Sequence, residues 1–285
     1  MELPDFIIRK KIKDFLEEDL GFGDITTNTI IEGVGPDGKA QILTREDGVV
    51  AGLKEVSILF DFFHVKSRFK KEDGAKIKAN DVLLELEGPI KGILKGERTA
   101  LNLLMRMSGI ATATYKLVEK VQKINSNVKI ACTRKTTPGF RYFEKRAVQL
   151  GMGDTHRFGL DDMVLIKDNH LKINADIPNL IKSIRNKISF SKKIEIEVTS
   201  AEQAIVAAKA KVDILMLDNF TVSEVQKAID LLKKNKLRSH LILEVSGNIT
   251  PENILEYAEL DVNVISMGYL THSARSLDVT LDLQQ

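Results

Sequence analysis

Side chains able to do chemistry fall in seven short stretches of the chain, and their charges are sorted along it. Cations come first. Arg134 and Lys135 stand in Thr133-Arg134-Lys135-Thr136-Thr137, His156 and Arg157 close Gly151-Met152-Gly153-Asp154-Thr155-His156-Arg157, and Lys167 opens Lys167-Asp168-Asn169-His170. Carboxylates follow, Glu195 and Glu197, then Asp218 beside Asn219; glycine-bearing turns come last, in Ser246-Gly247-Asn248 and Met267-Gly268-Tyr269. Planar guanidinium forks bind carboxylates through two bonds at once, each charge-assisted bond contributing about 1.5–3 kcal/mol. Paired carboxylates suit a divalent cation or sugar hydroxyls. Turns with exposed backbone N–H groups suit a phosphate. Together they describe a small polycarboxylate held beside a phosphorylated, metal-bound sugar. Each residue alone has a plainer reading. A Lys past a strand is usually a solvated loop charge, Ser246-Gly247 an ordinary turn, His64 and His240 surface or packing residues, and Cys132 a small buried hydrophobe. Glu195 and Glu197 share one strand face under period-2 alternation, and Glu is an awkward core residue.

Regular elements between these stretches must bring them together. Short apolar runs at 128–132, 163–166, 194–198, 213–217, 241–245 and 262–267 read as strands buried on both faces. Helical patterns at 143–150, 175–187, 201–209, 222–235 and 251–257 alternate with them, which predicts βαβ units around a parallel sheet. No Gly-x-Gly-x-x-Gly follows the first strand, so a complete or partial barrel fits better than a dinucleotide-binding sheet. In a barrel, functional groups gather at the C-terminal ends of strands, where the charged stretches lie. Upstream, residues 6–20 have helical spacing. Runs at 41–44, 48–51, 62–65 and 82–86, punctuated by Asp-Gly and Gly-Pro, predict antiparallel strands in a small α+β domain. A helix from about Gly96 to Lys123, with a break expected at Gly109, joins the two. The 285 residues are 43% hydrophobic and carry 42 Lys and Arg against 40 Asp and Glu. That near-balance argues against a coat for nucleic acid or anionic membrane. No apolar run reaches the ~18 residues of a membrane span. The start lacks a secretory pattern, and Cys132, the single cysteine, rules out a disulfide framework. A cytosolic globular protein is expected.

The 133–139 stretch Thr-Arg-Lys-Thr-Thr-Pro-Gly, His156-Arg157-Phe158-Gly159-Leu160 and Leu165-Ile166-Lys167-Asp168-Asn169-His170 closely resemble the quinolinate phosphoribosyltransferase family. So do Glu18–Thr26, Gly96–Asn102, Ser108–Thr112, Met216–Asn219, Val245–Gly247 and Leu270–Ser273. The resemblance implies an N-terminal α+β open-faced sandwich over 1–105 and an incomplete, six- to seven-stranded α/β barrel over 106–273, with the tail 274–285 returning to the first domain. It implies transfer of a 5-phosphoribosyl group from phosphoribosyl pyrophosphate to quinolinate with loss of carbon dioxide, giving nicotinate mononucleotide for NAD synthesis. Arg134, Lys135, His156, Arg157 and Lys167 would surround quinolinate, with Arg98 supplied across a homodimer, alone or in a hexamer. Glu197 and Asp218 would face ribose and magnesium. Ser246, Gly247, Asn248, Met267 and Gly268 would hold the 5-phosphate, with His272 nearby. Lys135, Lys167, Glu197 and Asp218 would be catalytic. The family usually has a Gly-Gly-Gly stretch followed by Asn-His-Arg, so Met152 and Thr155 are departures expected to narrow the pocket or to remove an amide contact. Asn248 replaces a glycine in the phosphate turn. Two rivals are a molybdenum-transport-associated homologue, which generally lacks a lysine at 167, and a barrel aldolase using Lys167 as a Schiff base.

Overall fold

Strand and helix boundaries follow the apolar spacing closely in a computed structural model of the chain, which describes residues 3–33 and 35–284. The first elements are α1 (Asp5–Leu20), α2 (Ile25–Ile30), β1 (Asp37–Thr44), β2 (Gly48–Val49), α3 (Leu53–Asp61), β3 (Lys66–Phe69), β4 (Lys76–Ile77), β5 (Val82–Pro89) and α4 (Ile90–Gln122). Next come β6 (Lys129–Ala131), α5 (Arg141–Leu150), β7 (Val164–Ile166), α6 (Asp168–Ile173), α7 (Ile177–Arg185), β8 (Ile194–Val198) and α8 (Ala201–Lys209). The chain finishes with β9 (Ile214–Asp218), α9 (Val222–Lys234), β10 (Ile242–Ser246), α10 (Ile254–Ala258), β11 (Val264–Ser266), α11 (Tyr269–His272) and β12 (Val279–Gln284).

Two compact units result. One holds the chain up to Tyr115, Pro138–Met152 and the segment from Ala274 on; the other holds Lys116–Thr137 and Gly153–Ser273. In the first, β12, β1, β5 and β3 form an antiparallel sheet in that order. Ala40, Ile42 and Thr44 of β1 are buried while Lys39 is exposed, so one face is covered and one open. The tail supplies β12, pairing Thr44 with Val279 and Lys39 with Gln284. Residues 62–65, expected as a strand, form the turn after α3, because Phe62, Phe63 and His64 each donate a main-chain N–H back to α3 carbonyls; the strand starts at Lys66. Gly109 does not break α4. A Cβ there would stand 2.0 Å from the Arg275 carbonyl oxygen, so the glycine admits a close-packed backbone within the helix. α5 buries three consecutive charged residues, Glu144, Lys145 and Arg146. Arg146 lies 2.9 Å from Glu55, which also accepts from the Tyr142 hydroxyl at 3.2 Å, and Arg106 pairs with Glu144 at 2.9 Å.

The second unit is a six-stranded parallel sheet in the order β6-β11-β10-β9-β8-β7. Its apolar strands bury Ile194, Ile196, Leu215, Leu217, Leu243, Val245 and Ile265 under helices presenting Ala204, Ala207, Val225, Ile229 and Leu232. Three of the helices begin on side-chain caps: Asp176 caps α7, Ser200 caps α8, and Thr221 with Glu224 forms a reciprocal capping box on α9. Between β6 and β7 the closure is partial, a single parallel bridge of Ala131 to Asp154. This is an incomplete α/β barrel.

Candidate active site

Parallel strands deliver their C-terminal ends to one mouth of the barrel, and a cavity of about 610 Å³ opens there. β6 runs into Thr133, Arg134 and Lys135, and the bridging segment after Gly153 is tied to β6 by Asp154 N–H donating to the Ile130 carbonyl and Cys132 N–H to the Asp154 carbonyl. The Asp154 carboxylate then accepts the His156 N–H at 2.8 Å, and His156 takes a left-handed φ of 50°, turning His156 and Arg157 into the cavity. β7 runs into Lys167, whose ammonium pairs with Glu197 of β8. β9 and β10 are in register with Asp218 opposite Ser246. Gly247, at φ 79°, passes so near Asn219 that a Cβ would stand 2.3 Å from its Oδ1. Asn248 takes φ 52°, a conformation Asn tolerates, so the turn survives the loss of a second glycine.

The cavity is divided by charge. Arg134, Lys135, Arg157 and Lys167 supply cations, with His156 beside them, while Glu197, Asp218 and the Ser246-Gly247-Asn248 turn supply oxygens and a phosphate-sized cradle. Arg134 Nε is buried without a hydrogen-bond partner among the described residues, an unfilled donor of the kind an anion satisfies. Burial, then the neighbouring Arg134 cation, lowers the Arg157 pKa. Burial raises the Asp218 pKa, with Lys167 and Lys135 opposing it. Beneath them, His156 Nε2 faces two buried carboxylates, Glu195 at 3.5 Å and Glu244 at 3.3 Å. Burial by itself lowers the His156 pKa, but the facing Glu195 and Glu244 carboxylates outweigh it and raise the pKa to about 10. The Arg157 main-chain N–H donates to Nδ1 at 2.7 Å, which assigns the first ring proton to Nε2; a second proton requires that bond to open. Burial, opposed by His156, raises Glu195 to about 7.

A family model for the quinolinate phosphoribosyl transferase C-terminal domain matches residues 110–282, and one for its N-terminal domain matches 24–108. The chain belongs to the quinolinate phosphoribosyltransferase family. A relative from Archaeoglobus fulgidus, a probable nicotinate-nucleotide pyrophosphorylase (carboxylating), is 48% identical over 264 residues, covering 93% of this chain and 99% of its own. The human nicotinate-nucleotide pyrophosphorylase (carboxylating) is 33% identical, covering 99% and 93% respectively. The crystal structure of NadC from Streptococcus pyogenes superposes with a TM-score of 0.91 over all of both chains at 36% identity.

In this member of the family, ten sequence-predicted residues line the one cavity: Arg134, Lys135, His156, Arg157, Lys167, Glu197, Asp218, Ser246, Gly247 and Asn248. Met267 is buried and does not line it. Gly268 and His272 sit just behind, where a Cβ on Gly268 would meet His272 Nε2 at 2.7 Å and Lys135 Cδ at 2.9 Å. Arg98 is exposed on α4 and is not a lining residue. Thr155 does not line the cavity either, and Met152 belongs to the N-terminal unit. Sequence reasoning missed Glu244, Asn219 and Ser266 as lining residues. Glu244 and Ser246 share a strand face at period 2, the signal that singled out Glu195 and Glu197 and that was present here as well.

Proposed function

We propose that the chain transfers the 5-phosphoribosyl group of phosphoribosyl pyrophosphate to the ring nitrogen of quinolinate, with loss of pyrophosphate and carbon dioxide, and that the charge-divided cavity is where it does so. The observation that carries the reading is one cavity holding four cations, Arg134, Lys135, Arg157 and Lys167, with His156 beside them, opposite a carboxylate pair and a glycine turn, on a chain of this family. Quinolinate is a dianion, and burying it unpaired would be prohibitive; Arg134, Arg157, His156 and Lys167 offset that cost and steer it inward. Glu197 and Asp218 bracket the ribose, and the Ser246-Gly247-Asn248 turn takes the 5-phosphate. As the bond from the anomeric carbon to pyrophosphate lengthens, positive charge grows on the sugar and negative charge on the leaving group, which Lys135 faces. Such a carbon needs little push from a nucleophile, so holding the ring nitrogen in line supplies most of the rate. Once alkylated, the pyridinium stabilises the electron pair left by the departing carbon dioxide until a proton replaces it. Lys167 orients the carboxylate that leaves.

Glu197 and Asp218 are hard oxygen donors lining the cavity that takes the pyrophosphate, and the uncompensated burial of Asp218 is relieved by a cation, so the pair fits magnesium. When bound, magnesium supplies charge neutralisation at the pyrophosphate. Lys167 is ion-paired with Glu197, unlike the desolvated free amine of a Schiff-base enzyme, which disfavours the aldolase reading. A homodimer is part of the proposal. Exposed Phe22, Ile25 and Ile30 in the N-terminal unit give it apolar surface to cover, and exposed Arg98 gives it a cation to lend. Substrates this charged do not cross membranes unaided, which favours a cytoplasmic place of action. The test is incubation with phosphoribosyl pyrophosphate, magnesium and either quinolinate or nicotinate, following carbon dioxide and nucleotide. Product from quinolinate alone is expected; product from nicotinate alone overturns the reading.

A further inference from the structure

Glu244 lies in the middle of β10, 1% exposed, and its two carboxylate oxygens point to opposite sides of the cavity floor. Oε2 stands 3.3 Å from His156 Nε2, on the cation side. Oε1 accepts the hydroxyl of buried Ser266 on β11, and that same Ser266 Oγ lies 3.0 Å from Ser246 Oγ, where the glycine turn begins. With the Ser266 proton on Glu244, the single Ser246 proton serves either Ser266 Oγ or the Ser266 carbonyl 3.3 Å away. The chain of contacts His156–Glu244–Ser266–Ser246 thus crosses the floor from one substrate side to the other without a gap. Glu195 backs His156 from beneath at 3.5 Å. A buried carboxylate beside a second one is costly unless its partners hold it, and here every oxygen of Glu244 has one.

These side chains also satisfy the spacing of a cation site, with His156, Glu195 and Glu244 ligand atoms all within 4.8 Å. Nε2 carries the proton facing the carboxylates and Glu244 Oε1 is engaged by Ser266, so His156 and Glu244 already use the atoms a metal would need from them. Glu195, whose two buried oxygens have no hydrogen-bond partner among the described residues, stands against this His156–Glu244–Ser266 brace by charge alone.

We propose that Glu244 is a positioning residue that ties the quinolinate side of the cavity to its phosphate side, orienting His156 with one carboxylate oxygen and, through Ser266, the Ser246 turn with the other. This rests on the substrate assignment given above; Glu244 lies in the cavity floor, 1% exposed, and acts through His156 and Ser266. Its two arms are separable. Ser266→Ala cuts only the phosphate arm, Glu244→Leu cuts both, and Glu244→Gln keeps both by shape, its amide oxygen accepting from His156 and its nitrogen donating to Ser266.

The experiment is steady-state kinetics on the purified full-length variants with quinolinate and phosphoribosyl pyrophosphate varied in turn, and circular dichroism as the check on folding. Ser266→Ala is expected to raise the KM for phosphoribosyl pyrophosphate about fivefold, the loss of one neutral hydrogen bond, and to leave the KM for quinolinate within twofold. Glu244→Leu is expected to raise both KM values about tenfold or more, and Glu244→Gln to restore both to within about threefold of the parent. Folded Glu244→Leu with both KM values unchanged overturns the proposal. So does Ser266→Ala moving the two KM values equally, a result that remains decisive if Glu244→Leu does not fold. Absence of turnover by the parent chain would instead defeat the substrate assignment.

Discussion

Lys167 sits where three requirements meet: it follows β7, it pairs with Glu197, and it faces the cavity. Replacing it by Met strands Glu197 without its cation and, under the proposed function, removes a charge-assisted contact to the leaving carboxylate. Lys167→Met is expected to slow single-turnover formation of nicotinate mononucleotide roughly 10- to 150-fold, the equivalent of about 1.5–3 kcal/mol. An unchanged rate in rapid-quench measurements would remove Lys167 from the reaction. Glu55, buried in the N-terminal unit, makes the opposite kind of prediction, one about stability. Burial raises its pKa above the ordinary value, against the pull of Arg146. A carboxyl whose folded pKa lies above its unfolded one stabilises the fold most below the unfolded value and loses that contribution as pH rises through the folded pKa. Urea unfolding should therefore show Glu55→Gln gaining on the parent as pH rises from about 4 toward 7. A pH-independent difference between the two proteins would contradict the assigned shift.

Helices and strands obey local rules until another segment overrules them. The α8 pattern at 201–209 matches the observed helix residue for residue, because alanine-rich amphipathic spacing and the Ser200 cap act within one turn. Gly109 shows the reverse. By propensity a glycine weakens a helix, yet α4 passes through it because the backbone at Arg275 needs the space. Gly109→Ala, a gain of up to about 1 kcal/mol in an isolated helix, should instead destabilise this protein, and thermal melting would show a lowered Tm. A raised Tm would mean that α4 and the 275 segment pack less closely than described. The 62–65 run failed as a strand for a related reason. Of that run only Val65 is buried, while Phe62 is exposed, so its apolar composition reflects the turn that closes α3 rather than a strand face.

At the scale of the whole molecule, the exposed position of Arg98 makes a prediction about assembly. Arg98→Ala and Lys167→Met are each expected to be nearly inactive as pure proteins. If Arg98 serves a neighbouring chain, mixing and re-associating them should place both defects in one site and restore the other site of each mixed dimer, recovering about a quarter of parental activity. That figure is the product of half the dimers being mixed and half their sites being intact. Two inactive proteins that stay inactive after mixing would return Arg98 to a surface role. The sequence by itself determined the alternating barrel elements, the sorting of cations, carboxylates and glycine turns along the chain, and the family, because periodicity and strand-end position are local properties. Only the tertiary structure decided that Glu244 lies between His156 and Ser266, that Met267 stands back from the cavity, and that residues 138–152 join the N-terminal unit. Those facts depend on strands and segments far apart in sequence meeting in register, and side chains buried between them are chosen by their partners rather than by their neighbours in the chain.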